Sequence, residues 1–280
     1  MLHKYPVRRL AGAALLTGIA IPSQSTIFDR DDRQYVSTAP GSPYAPIGKV
    51  IRGGLIYHWS TGVLVDACNV LTSQHLFGTG QTPVGQHLTF KAAMGTPQHV
   101  SSRGTVVAVG GYEPTSTWAE QTALRGRDWL LLRLDKCLGV SLGYATLKTG
   151  PYSPYEFENV QSAGYPTRRH SNEGLTLDPA CRITYGAGSI WMDDCATVAG
   201  DAGDPLFRVS ASGSKPRLEV IAIQVAGYNW YKPVPANPKF QNQAVPVALI
   251  APQIERYLSA KPPAASTRPF LTESSGSQHD

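Results

Sequence analysis

Asp194-Cys195-Ala196-Thr197-Val198-Ala199-Gly200-Asp201-Ala202-Gly203-Asp204-Pro205-Leu206-Phe207 is the stretch on which the reading of this chain turns. Two glycines and a proline punctuate it and an apolar pair closes it, as in a tight turn that runs into a strand. The same alternation recurs over most of the chain. Short apolar runs at Gly62–Leu71, Gly104–Gly110, Trp129–Leu134, Val160–Tyr165 and Leu218–Val225 stand between Gly and Pro turns. Runs of this length, rich in Val, Ile, Leu and Tyr, predict an all-β barrel or sandwich. One helix is predicted, over Val247–Leu258, where apolar residues fall at 247, 250, 254, 257 and 258.

The composition agrees with a globular, turn-rich chain: 42% hydrophobic and 16% charged residues, with 27 Gly and 22 Pro in 280 residues. Met1–Ser25 reads as a secretory signal. Lys4, Arg8 and Arg9 precede an apolar run, Leu10–Ile21, that is too short to span a bilayer as a helix, and the small residues of Pro22-Ser23-Gln24-Ser25 follow. That segment holds three basic residues and no acid, so its removal takes the formal charge from +5 to +2. A charge this small gives no reason to expect nucleic acid or an anionic membrane as partner. Residues 26–45 look like a loosely attached or processed leader, 46–260 like the folded domain, and 261–280, rich in Pro, Ser and Thr, like a disordered tail. Four cysteines, Cys68, Cys137, Cys181 and Cys195, imply two disulfides in an exported protein and allow three pairings. No Cys-x-x-Cys or His-x-x-x-His spacing points to a metal, and no cofactor is expected.

Two further neighbourhoods carry chemistry. His75 lies just past an apolar run that ends Val70-Leu71-Thr72, and Asp128 heads the run Trp129-Leu130-Leu131-Leu132. An unpaired carboxylate so near a core costs several kcal/mol, about 3–5 when it loses a partner, so Asp128 needs a partner and His75 is the natural one. A base and an orienting acid are two of the three groups that covalent hydrolysis requires, the third being a hydroxyl nucleophile.

With these neighbourhoods in the order His, Asp, turn, the chain resembles the chymotrypsin-fold serine peptidases, in their bacterial trypsin-like and glutamyl-endopeptidase-like branch. That group carries Gly-Asp-Ser-Gly-Gly-Pro or close relatives where this chain has Gly200-Asp201-Ala202-Gly203-Asp204-Pro205. Asp31-Asp32-Arg33 followed by Pro46-Ile47-Gly48, then Gly164-Tyr165-Pro166 and Val220-Ile221-Ala222-Ile223, resemble its start, its mid-chain turn and the strand lining its specificity pocket. The resemblance implies two packed antiparallel Greek-key barrels, with His75 and Asp128 from the first and Ala202 from the second. It implies an oxyanion hole at the N–H groups of Gly200 and Ala202, a substrate pocket at Gln224, Val225, Ala226 and Gly227, disulfides Cys68–Cys137 and Cys181–Cys195, and a secreted or periplasmic monomer whose partner is a peptide or protein.

The departures from that pattern matter as much. Ala202 stands where the resemblance calls for the nucleophilic serine, and a methyl group cannot attack a carbonyl. Asp204 replaces a Gly or Ser, Gln74 a small residue and Leu76 a Cys, and Gln224 stands where glutamyl-specific relatives have a His. The expectation is therefore a peptidase fold without peptidase chemistry, in which Asp204 is an obstacle to restoring activity. The alternative is an active endopeptidase line in which Ser→Ala at 202 is recent or engineered.

Overall fold

In the computed structural model, residues 26–53, 58–78, 81–113, 124–150, 153–157, 159–167, 174–210, 216–227 and 241–258 are described. The expected signal at 1–25 and the expected tail at 261–280 lie outside them.

Six strands close a barrel in the order β2 (Ile47–Arg52), β3 (His58–Leu64), β4 (Asn69–Thr72), β7 (Leu130–Leu134), β6 (Val100–Val109) and β5 (His87–Ala92), all neighbours antiparallel. The second half is a nine-stranded sheet. Its hydrogen-bonded path runs β1 (Gln34–Val36), β10 (Leu175–Cys181), β9 (Val160–Gly164), β13 (Pro205–Ser210), β14 (Arg217–Ala226), β15 (Asn242–Pro246), β12 (Ile190–Asp193) and β11 (Ile183–Ala187), with β8 (Thr146–Leu147) parallel to β14. The first barrel closes; among the described residues the path of the second runs from β1 to β11 without closing.

The unbroken apolar runs of the sequence belong to strands buried on both faces. Along β7, Leu130, Leu132 and Leu134 fill the first barrel, while Leu131 and the preceding Trp129 join the core shared with the second sheet. Successive side chains of a strand point to opposite faces, so a strand between two cores has no polar face to show. β14 behaves alike: Val220, Ile223 and Val225 face the shared core, and Ile221 and Ala222 a separate cluster around Cys181 and Cys195. The predicted helix is present as Val247–Leu258 and buries Val247, Ile250 and Ile254 in the shared core, each worth about 1.5–3 kcal/mol.

Both expected disulfides form, Cys68–Cys137 and Cys181–Cys195. The second spans 14 residues of sequence immediately before the Gly200–Asp204 turn. On the chain-entropy estimate a loop of this size contributes about 3 kcal/mol.

Residues 26–45 are not loosely attached. Gln34–Val36 pairs with Leu175–Leu177, the Thr26 carbonyl accepts from Thr197 N and Asn242 Nδ2, and Arg33 and Thr38 are buried. The turn-forming, polar composition of the segment hid a strand only three residues long and a cation that ends inside the molecule.

Candidate functional site

β4 ends at Thr72, and Ser73 leads into one 3-10 turn, Gln74–Phe77. Leu76 and Phe77 sink into the first barrel's core, which leaves His75 at the surface with 17% of its side chain exposed. Asp128, at the mouth of β7, is fully buried. It holds His75 at two points: Oδ1 accepts the His75 backbone N–H at 2.9 Å, and Oδ2 lies 2.6 Å from Nδ1. A carboxylate on Nδ1 selects the tautomer with its proton there and leaves Nε2 as the basic nitrogen.

Gln74 is a structural bolt. Its Nε2 donates to Tyr112 O at 3.0 Å, and its Oε1 accepts from the N–H groups of Gly111 and Tyr112. The loop after β6 is thereby fastened to the His75 turn, so this departure from the resembled pattern serves the scaffold.

The opposite wall is the turn Gly200–Asp204. Gly200 and Gly203 have φ of 99° and 87°, which an L side chain adopts only with strain. Neither position has room for one: a Cβ on Gly200 would strike Tyr165 O and Trp59 Nε1, and on Gly203 it would strike Thr61 O, Thr72 Oγ1 and Ser73 N. The last contact sets Ala202 beside the chain that enters the His75 turn. The elbow is tied on every side. Thr61 N donates to Ala202 O at 2.8 Å and Thr61 Oγ1 to Gly200 O at 3.0 Å; Gly203 N donates to Gln224 O, Gln224 N to Asp204 O, and Thr167 N to Ala199 O. The Gly164-Tyr165-Pro166 and Val220–Ile223 stretches are thus continuous with the two segments that brace the elbow. Among the described residues, no acceptor takes the N–H of Gly200 or of Ala202.

A family model described as Trypsin matches residues 37–252 of this chain. The chain belongs to the trypsin family. Its fold is that of a Glu endopeptidase solved in complex with MPD, at TM-score 0.62 and 16% identity over 83% of this chain and 99% of that one. It is also that of the protease Anisep from Arthrobacter nicotinovorans, at TM-score 0.56 and 17% identity over 81% of this chain and 100% of that one. No curated protein sequence matches.

Beneath the elbow of this trypsin-family chain lies a charge cluster that the sequence reading missed. Arg33, its side chain 3% exposed, donates from Nη1 to Asp201 Oδ2 at 2.7 Å and from Nε and Nη2 to Asp31. Asp201 Oδ2 also accepts Val198 N–H at 2.8 Å. Burial alone would make the guanidinium easier to deprotonate; Asp201 and Asp31 outweigh it and hold Arg33 charged. Burial pushes Asp201 up to about 6 against the pull of Arg33. The acidic-basic knot Asp31-Asp32-Arg33 was the visible signal, but nothing local told which carboxylate the arginine reaches.

Asp204 is enclosed by the protein. It is buried with its carboxyl over the Cα of Gly164 and close to Thr61. Its burial places it next to Asp201 within the turn.

Of the four expected pocket residues, Val225 turns its side chain into the shared core. Gln224 and Ala226 are buried, with Gln224 Nε2 donating to Ala226 O at 2.9 Å, and Gly227 ends the described strand segment. Gln224 also lies close to Asp193, a fully buried carboxyl that burial pushes well above the usual range. Asp193 was missed; the Asp193-Asp194 doublet ending an apolar run was its only trace.

One literal Gly-x-Ser-x-Gly, the signature of another hydrolase class, occurs at Gly139-Val140-Ser141-Leu142-Gly143. It forms a single helical turn with Ser141 exposed and its Oγ donating to Leu138 O at 3.1 Å, with no base in hydrogen-bond contact. Among the described residues no group of three His, Cys, Asp or Glu is placed to hold a metal, and no helix is long and apolar enough to cross a membrane.

Proposed function

We propose that this chain is a secreted, non-hydrolytic trypsin-family protein that binds a peptide or protein at the seam between its two halves. The observation that carries the reading is Ala202 on an otherwise complete elbow. The N–H groups of Gly200 and Ala202 are unclaimed by protein acceptors and stand ready for a carbonyl or a chain-terminal carboxylate. No oxygen sits where a nucleophile is needed, and loss of that oxygen costs on the order of 10⁶ in turnover in a serine triad. In this reading His75 and Asp128 orient a bound chain, Gln224 closes the side-chain pocket, no cofactor takes part, and the protein acts as a monomer.

One observation favours a second reading, an endopeptidase line carrying Ser→Ala at 202. His75 and Asp128 keep the two-point contact a working base needs, at 2.6 and 2.9 Å, and Gln74 and Asp204 have structural roles that need no history of decay. A fluorophosphonate probe separates the two. The chain as written remains unlabelled in either case. Ala202→Ser is labelled, and hydrolyses casein at pH 7–9, only if the second reading holds; peptide binding by the unmodified chain without gain of activity in Ala202→Ser supports the first. Casein hydrolysis by the unmodified chain that survives His75→Ala sinks both.

A further inference from the structure

Asp201 Oδ1 and Asp204 Oδ1 are both buried and both lack a hydrogen-bond partner among the described residues. They belong to two carboxyl groups three residues apart, joined by the turn in which Asp204 N donates to Asp201 O at 2.8 Å. The charged groups that act on Asp204 are Asp201, on the same turn, and Arg33, from the N-terminal segment; Asp31 lies beyond Arg33 and is partly exposed. From β3 comes only the neutral Thr61, and β9 contributes Gly164, whose Cα the carboxyl covers. Two buried carboxylates beside one arginine would leave an uncompensated negative charge in the interior, which is strongly unfavourable. Two orphan acceptors facing no donor would add to that cost.

We propose that Asp201 and Asp204 hold one proton between them, resident on Asp204, so that Arg33, Asp201 and Asp204 form an electroneutral brace that positions the elbow. A protonated carboxyl is a donor as well as an acceptor, which is what a pair of orphan oxygens lacks. Burial and the Asp201 charge both act to keep Asp204 protonated, with Thr61 and Arg33 opposing. Asp204 is therefore a positioning residue: it acts on the Gly200 and Ala202 N–H groups through the turn it closes. The consequence for the cleft rests on the binding reading above, whereas the protonation itself does not.

The test compares the full chain with Asp204→Asn, which imitates the protonated carboxyl in shape and charge, by denaturant unfolding from pH 5 to pH 9. An acid whose pKa is raised by folding contributes stability that is complete below its unfolded value, near 4, and is lost as pH rises toward its folded value. The unmodified chain is then expected to lose about tenfold in folding equilibrium per pH unit relative to Asp204→Asn across that window. Asp178 and Asp193 remain in both chains, so their pH dependence cancels, and the difference between the profiles reports the Asp201–Asp204 pair as a unit. Parallel profiles, or an unmodified chain more stable than Asp204→Asn at neutral pH, overturn the proposal. So does failure of both Asp204→Asn and Asp204→Ser to fold at neutral pH, because that outcome demands a charged carboxylate. Peptide titration of the same pair keeps the two readings apart: affinity should fade with rising pH in the unmodified chain and stay level in Asp204→Asn. If neither binds at any pH, the binding reading falls and the unfolding profiles still decide the proton.

Discussion

The two walls of the site are built on different physics. On the first barrel, His75 is held by one carboxylate through two hydrogen bonds, its ring is partly in water, and the rest of its turn is anchored by Leu76 and Phe77 in the core. On the second sheet, none of Gly200–Asp204 belongs to an apolar cluster, and the chain enters the core only at Leu206 and Phe207. The elbow is held by backbone hydrogen bonds to β3 and β14 and by Arg33, Asp201 and Asp204 beneath it. A wall resting on apolar anchors keeps its backbone in place when its functional side chain is lost. A wall resting on buried charge does not, because each partner removed leaves the other uncompensated.

The comparison is sharpest where that charge is broken. Arg33→Met leaves Asp201 without its cation, and a loss of about 3–5 kcal/mol in unfolding free energy is expected, measured by denaturant titration. A loss under about 1 kcal/mol would show that the elbow is not braced from below. Replacing Cys181 and Cys195 together by Ser should cost about 3 kcal/mol and loosen the elbow, seen as faster amide exchange at 200–203. Unchanged exchange there would mean that the disulfide stabilises the fold without shaping the turn.

On the first wall the expected effects are smaller. Asp128→Asn keeps the shape but replaces an ionic acceptor, and it should cost about 1–3 kcal/mol. A cost as large as that of Arg33→Met would erase the distinction drawn between the two walls. His75→Ala should cost somewhat more than Asp128→Asn, because it leaves the buried Asp128 without its partner, with water entering at the partly exposed ring position offsetting part of the loss; the double change with Asp128→Asn is expected to cost less than the sum of the two singles. Smallest of all is Ala202→Ser, expected within about 0.5 kcal/mol in stability. A larger destabilisation would mean that the elbow has closed around the methyl.

The walls also differ in their response to pH. The carboxyl groups pushed upward by burial, Asp178, Asp193, Asp201 and Asp204, all lie in the second half. Each contributes stability that is present below pH about 4 and declines as pH rises through its folded value, about 6 for Asp201. Between pH 4 and 6 stability should therefore fall, and amide exchange should quicken on the second sheet more than on the barrel that carries His75. Equal changes in the two halves would refute the assignment.

Much of this was legible in the sequence, and the reason is locality. Strand runs, the helical spacing of Val247–Leu258, the two disulfides and the order His75, Asp128, Ala202 are patterns within short windows or matches to a family motif. Asp128 could be assigned to His75 because a carboxylate at the head of an apolar run has few ways to be satisfied. The roles of Arg33, Gln74, Asp193 and Asp204 were not legible. Each depends on which polar groups become buried together, and Arg33 finds Asp201 across 168 residues of sequence. Composition marked 26–45 as a leader because polar turn formers dominate it, whereas burial of one cation against an interior carboxylate makes it part of the fold. The sequence alone determined the all-β class, the family resemblance and the alanine at 202. Only the tertiary structure decided what holds the elbow in place, because a buried charge must be matched by whatever the fold brings next to it, and sequence distance says nothing about that neighbour.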